Sequence, residues 1–389
     1  MKPSLPVAFT ILLACGTAPF AQADGPVTKL KDVIVYWDDT FYSAFPSIVR
    51  RPDGQLLVAF RRAPERRVFG DGRASHTDSK SQLVLVRSSD GGETWSKEPQ
   101  LIWAHPRGGL QDPCMLQLDD ESILCASYGW ALIPQANAQK LKSPSRAGDY
   151  VFLGGTMYRS TDGGNGWSEL SLPPTRGEER LDPFNQPLPA YNRGQMYQGK
   201  DGRIFWVTAR KNSGESRRTG VHLMISSDRG SSWEYACPVA TDDKITFNEA
   251  SIYETPRGDL VVFIRTGDFN DHTVIARSTD GGKSFQKWQD AGWKGHPHHA
   301  LRLPDDRVLL TCGYRHAPHG VRARVLNAEC TDFASADKIV LRDDGQNGDL
   351  GYPWATMVAD DRAMVVYYFN QQDGTRYIAG TMLKVEPRR

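Results

Sequence analysis

Four near copies of one phrase constrain this chain more than any other feature. Arg87 begins RSSDGGETWS, Arg159 begins RSTDGGNGWS, Ser226 begins SSDRGSSWE and Arg277 begins RSTDGGKSFQKW. Ser, Asp, Gly and an aromatic at fixed offsets, recurring along the chain, mark a repeated supersecondary unit. An acidic, Gly-rich turn raises the question of calcium, but the twelve-residue ligand spacing of an EF-hand is absent. A turn staple fits better. The Asp carboxylate accepts bonds from N–H groups of the turn, glycines take up positive φ, and the aromatic ring packs between strands.

Aligning the chain on this phrase exposes a longer unit: an apolar strand, a tight turn, and a second apolar strand. Such units begin at Phe45 (FPSIVRRPDGQLLVAFRR), Asp112, Tyr191, Asn248, His296 and Gly351. Asp-Gly, Asp-Asp or Arg-Gly pairs between apolar runs signal hairpins. A third strand follows each pair, as in SQLVLVRSS, GVHLMISS and HTVIARS, and the Ser-x-Asp phrase turns the chain into a fourth. Four antiparallel strands repeated every 50–70 residues or so are the pattern of a propeller blade. The expected fold is all-β, a six-bladed β-propeller. The segment KDVIVYWDD, beginning at Lys31, lies outside the six units and can supply the outer strand that closes the ring.

The ends and the composition add bounds. Residues 1–23 hold one early charge, Lys2, a short apolar run, and the small-x-small sequence AQA at Ala21–Ala23. They read as a removed export signal, leaving residues 24–389 as one propeller domain that is periplasmic or secreted. The alternative reads LLAC as a lipoprotein site with Cys15 acylated. No run is long enough to span a bilayer. With 47 basic and 46 acidic residues, no charge excess points to nucleic acid. Cys114, Cys125, Cys237, Cys312 and Cys330 match no zinc spacing. They read mostly as small core residues, with Cys114–Cys125 and Cys312–Cys330 as possible disulfides. No cofactor or metal is called for, and a monomer is expected.

Topology sorts the polar residues by face. In a blade the first-to-second and third-to-fourth hairpins share one face, which therefore carries the Asp-Gly turns and the Ser-x-Asp phrases. The other face collects the starts of first strands: Asp112, Arg193, Glu249, His298, His299 and Tyr352. It also collects the ends of second strands, Arg61, Arg62, Arg265 and Arg315, and the loop residues His76, Asp78 and Arg322. Arg forms paired bonds to carboxylates, aromatics cover sugar faces, and carboxylates hold hydroxyls or move protons. The expected partner is a glycan or oligosaccharide bearing an acidic sugar.

The phrase resembles the Asp box, or BNR repeat, of the sialidase superfamily, whose members are six-bladed propellers. The resemblance covers residues 30–385 and implies roles. Sialidases cleave with a Tyr nucleophile; LGYPWATMV places it at Tyr352. A Glu at the start of blade four activates it, here Glu249. The acid/base Asp precedes the first Asp box by about a dozen residues, here Asp78, 12 before Asp90. Two of the three arginines that grip the substrate carboxylate match Arg265 and Arg322, with Arg315 in reserve. The first-blade Arg is missing: SAFPSIV puts Ala44 or Phe45 there, and Arg61 or Arg62 would have to reach in. The resemblance implies an exported retaining exo-glycosidase releasing sialic acid or a related acidic sugar. The residues leave two alternatives open. One is a lyase or unusual hydrolase of uronic-acid glycans using His76, His298 or His299 with Tyr352. The other is a glycan-binding propeller without catalysis.

Overall fold

The structure is a computed structural model. It describes residues 25–388, except 71–75, 139, 142–145, 148, 175–180, 183 and 212–217. Six antiparallel sheets of four main strands each follow one another as blades. Blade one comprises Phe41–Arg50, Leu56–Pro64, Gln82–Ser88 and Gln100–Trp103. The first strands of blades two to six are Gly109–Gln117, Tyr197–Gln198, Thr246–Glu254, His298–Arg302 and Gly351–Ala359. Blade six takes its outer strand, Val27–Tyr36, from the other end of the chain, paired antiparallel with Arg376–Val385. The segment from Lys31 thus closes the ring as its sequence position implies. The export signal read over residues 1–23 lies outside the described residues. Among the described residues no helix is long and apolar enough to cross a membrane.

Inner strands are sandwiched between neighbouring blades, so both of their faces must be apolar. In blade one Val84 and Val86 pack into a large central cluster, whereas Leu83 and Leu85 join Met115 and Ile123 of blade two. This is why QLVLVRS reads as a continuous apolar run rather than an alternating one.

The four Asp boxes are turn staples. Asp90 Oδ1 accepts the Thr94 N–H at 3.0 Å and the Ser88 hydroxyl at 2.8 Å, while Ser88 Oγ accepts the Gly92 N–H at 2.9 Å. Asp162, Asp228 and Asp280 repeat the scheme. Gly92 has φ 91°, and a Cβ there would meet Met364 Sδ of blade six at 2.9 Å. Both facts require glycine. Gln55, beside the Asp53-Gly54 turn, bonds Ser89 of the box at 3.3 Å, so hairpins and boxes share one face. Blade five lacks the phrase but keeps the staple. There Asn327 Oδ1 accepts the N–H groups of Glu329 and Thr331, both at 3.1 Å.

The two disulfides considered from sequence do not form; all five described cysteines are buried thiols. Cys114 lies opposite Ala126 and Cys125 opposite Met115. Neighbouring register positions point to opposite faces of a sheet, so these two sulfurs cannot meet.

Candidate active site

One backbone device builds the centre of the propeller. At the start of the first strands of blades one, two, four and six, the ladder is interrupted between Ala44 and Ser47, Gln111 and Cys114, Asn248 and Ala250, and Gly351 and Trp354. Each bulge holds a non-glycine residue at positive φ: Phe45 at 57°, Asp112 at 28°, Glu249 at 32° and Tyr352 at 54°. Bulges of this kind re-aim a side chain, at a backbone cost of about 1–3 kcal/mol each. Arg193 stands at the matching place in blade three, and in blade five register puts Pro297 there, directly after His296. The same sequence position, filled differently in each blade, thus supplies the axial side chains.

Those side chains meet. The Tyr352 hydroxyl donates to Glu249 Oε1 at 2.5 Å. Arg265 Nη1 donates to Glu249 Oε2 at 2.6 Å and to Tyr352 Oη at 3.2 Å. The Arg193 guanidinium lies 4.8 Å and the Arg315 guanidinium 5.0 Å from the Tyr352 ring centroid. Phe45 meets the same ring edge-on at 4.8 Å. Asp112 accepts from the Tyr128 hydroxyl at 3.1 Å and has Arg193 Nε 4.0 Å away.

Electrostatics separate the acids. Burial works to raise the Glu249 carboxyl, but Arg265 and the Tyr352 hydroxyl outweigh it and hold it down at about 2. Burial, then the Glu249 charge, pushes the Tyr352 phenol far up despite Arg265 and Arg315. The resting state is therefore neutral phenol beside carboxylate. Asp112 goes the other way. Burial dominates, with Arg193 opposing and Glu249 adding, and its carboxyl rises to about 6. Its Oδ1 is buried without a hydrogen-bond partner, which suits the protonated form.

Several candidates named from sequence lie elsewhere. Asp78 is fully buried, gripped by both Arg66 Nε at 2.6 Å and Arg66 Nη2 at 2.9 Å, and also accepts the Lys80 N–H at 2.7 Å. It makes no described contact with Tyr352 or Glu249, and its oxygens are committed to these donors. Arg322 points into the seam between blades four and five, donating to the carbonyls of Val321, Pro318 and Arg342. Arg315, the reserve, occupies the centre instead, bonded to Leu350 O at 3.1 Å and Tyr368 Oη at 2.7 Å. His298 Nε2 pairs with Thr273 Oγ1 at 2.9 Å, and His299 Nδ1 accepts the Ala355 N–H at 3.2 Å. Burial pushes both imidazoles down, His298 to about 3. They are inter-blade packing residues.

The arginines of blade one divide. Arg61 is fully buried behind the Tyr42 and Phe45 rings, where its charge acts on Asp78 and Asp112. Arg62 turns outward to Tyr36 Oη and the Phe41 ring. His76 packs edge-on against Phe45 and sits 3.5 Å from Asp349. Asp349 was not anticipated. It ties together Tyr42, Tyr368 and Arg376, and its carboxyl is held well below the usual range because these donors and His76 outweigh burial. Its partners come from both ends of the chain, so no local sequence signal points to it.

Beside the axis opens a cavity of about 310 Å³, with Tyr128, Trp130, Phe152 and Tyr191 as an aromatic wall and Arg193 and Glu249 as charged lining. Among the described residues no group of three or more His, Cys, Asp or Glu could hold a metal ion.

Residues 143–365, more than half of the chain, match the family model described as BNR repeat-like domain. The chain belongs to the BNR repeat-like family. A protein of unknown function from Dyadobacter fermentans DSM 18053 is 53% identical, with TM-score 0.90 over 93% of this chain and all of that one. The NanB sialidase of Streptococcus pneumoniae (K499G mutant) superposes at TM-score 0.63 and 14% identity, over 92% of this chain and 70% of its own. The intramolecular trans-sialidase of Ruminococcus gnavus, bound to oseltamivir carboxylate, gives 0.58 and 15%, over 90% and 96%. At these identities the sialidases share the BNR propeller's fold with this chain. Curated proteins gave no match.

Proposed function

We propose that this BNR-repeat protein is an exported, monomeric retaining exo-glycosidase that releases a terminal acidic sugar of the sialic acid type. The observation that carries the reading is the 2.5 Å bond from the Tyr352 hydroxyl to Glu249, with Arg265 bridging both. The fold shared with sialidases at low identity supports it.

The chemistry follows from the charges. A neutral phenol approaches an anomeric carbon bearing a carboxylate without the repulsion that a carboxylate nucleophile would meet. As the Tyr352 oxygen bonds to that carbon, its proton passes to Glu249. The glycosidic C–O bond breaks, and the leaving oxygen takes a proton from Asp112. That carboxyl, lifted to about 6, suits a general acid near neutral pH. Water then attacks the anomeric carbon and gives a proton to Asp112, the Tyr352 oxygen leaves and takes its proton back from Glu249, and the two displacements retain configuration. Asp112 takes the acid/base role here because Asp78 is clamped by Arg66. Arg265 and Arg315 grip the sugar carboxylate. Phe45 replaces the first-blade arginine, so the third corner of the grip is aromatic.

His-driven elimination has less support, since His298 and His299 are both bonded between blades and His76 meets Phe45 and Asp349 rather than Tyr352. Purified protein incubated with sialosides and uronic-acid oligosaccharides, with product masses recorded, tests the proposal. Hydrolysis of the sialosides is the expected result. A product lighter by one water would mean elimination, and sugar binding without turnover would mean a lectin.

A further inference from the structure

The third strand of each blade is an inner strand with both faces packed. Register through the sheets aligns Arg322, opposite Cys312, with Val84, Thr156, His222, Val274 and Ala379 in the other five blades. Three of these are apolar, the other two are Thr and His, and none is an arginine or a lysine. Blade five alone puts a guanidinium there, and the residue is 5% exposed. Burying a charge without a counter-charge is costly, and among the described residues Arg322 makes no ion pair.

The surroundings add positive charge. Val321 and Ala323 face the blade-six side of the strand, within a cluster that includes Val365 and Tyr367. Arg322 and Arg324 face the opposite side, towards blade four. There they line a cavity of about 200 Å³ together with Lys294, Lys338, Trp293 and Tyr314. Arg322 lies 4.8 Å over the Tyr314 ring and Arg324 4.5 Å over Trp293, so both guanidinium planes are held by stacking. Among the described residues Arg324 bonds only the Ala336 carbonyl and Lys294 only the Asn270 side chain. No carboxylate among the described residues lines the space; Asp343 and Asp337 act on the two arginines only from a distance. The room exceeds the share of one water, about 30 Å³, so it is large enough for an oxyanion or a small acidic group.

We propose that the seam between blades four and five is a second ligand site, separate from the Tyr352 centre, in which Arg322, Arg324, Lys294 and Lys338 bind an oxyanion. The anion is a free sulfate or phosphate, or the carboxylate or sulfate of an acidic sugar. Carbonyl bonds from Arg322 to Val321, Pro318 and Arg342 and from Arg324 to Ala336 fix the two stacked guanidinium groups, and their remaining N–H donors are preset for such oxygens.

Calorimetric titration of the full chain with sodium sulfate, inorganic phosphate, glucuronate and a sulfated hexose, at matched ionic strength, tests this. The expected result is saturable binding of at least one probe. Free-ion binding points to inorganic anion, and binding by only the sugar probes points to a glycan-borne group. Arg322→Val, the residue blade one carries at this place, should weaken binding about tenfold or more. Lys338→Gln, at the edge, should weaken it less while leaving the fold intact. Turnover of an acidic glycoside should not change in either variant, whether or not the glycosidase reading holds. Absence of saturable binding by every probe overturns the site. So does unchanged affinity in both variants.

Discussion

At the scale of single residues, the proposed glycosidase reading stands or falls with the Tyr352–Glu249 pair. Tyr352→Phe removes the attacking oxygen and should lower kcat about 10³-fold or more, measured on a sialoside substrate. Glu249→Gln should cost a similar factor, because the phenol then keeps its proton. The double variant should cost little more than either alone, since the two act as one unit. Near-normal turnover by Tyr352→Phe would end the glycosidase reading. Asp112 sets the pH dependence. Its folded carboxyl is raised to about 6, so it is protonated below that value and loses its proton above it. With Glu249 held at about 2 and already ionised, kcat/KM should be flat through mildly acidic pH and fall as pH rises through about 6. Asp112→Asn should abolish this fall and slow substrates with poor leaving groups most, while activated aryl glycosides suffer less. The same shift acts on stability. Because the folded pKa lies above the unfolded one, near 3.9, the contribution of Asp112 is fully present below about 4 and is lost as pH rises towards 6. A profile of kcat/KM that is unchanged in Asp112→Asn would return the acid role to another group.

At the scale of elements, strands and turns were legible and side-chain direction was not. The strand–turn–strand units and the Asp boxes depend on local chemistry, and both appear where the sequence put them. The axial residues Asp112, Arg193, Glu249 and Tyr352 were also readable, because first-strand starts must converge on a propeller axis. Arg322 was misplaced for a different reason. Successive residues of a strand face opposite ways, so a match in sequence says nothing about face until register is known. The bulges at Phe45, Asp112, Glu249 and Tyr352 were invisible too, since only Gly351 beside Tyr352 hints at positive φ. The Asp boxes lie away from the axis and permit a clean test. Asp162→Ala leaves the Gly166 and Asn165 N–H groups without their carboxylate. Water can replace it at this exposed turn, so the expected loss is only about 1 kcal/mol. Tm should fall by a degree or two while kcat stays unchanged, read by calorimetry and by turnover of the same preparation. A loss of activity at unchanged Tm would give the boxes a role beyond stapling.

At the scale of the whole molecule, the ring holds its site only while it is closed. Glu249 and Tyr352 come from blades four and six, and their 2.5 Å contact spans the axis. Nothing local fixes that distance; it is set by how all six blades pack. Blade six is completed by Val27–Tyr36, whose register runs from Val27 opposite Val385 to Tyr36 opposite Ile378. This strand also buries Val35 and Tyr36 in the cluster that holds Tyr42, Ile378 and Tyr352. Its removal would leave Arg376–Val385 as an open edge of unpaired N–H and C=O groups, a template for pairing with other chains. It would also uncover apolar area in the cluster that holds Tyr352. A chain beginning at Asp38 should therefore melt at lower temperature, with a broadened transition, and should aggregate on heating. It should lose turnover along with the Tyr352–Glu249 register, even though every residue of the site is still present. Calorimetry, light scattering and turnover on the two chains give the comparison. Retention of a single sharp transition at the original Tm would mean that blade six holds the ring with three strands, and that the terminal strand is a cover rather than a clasp.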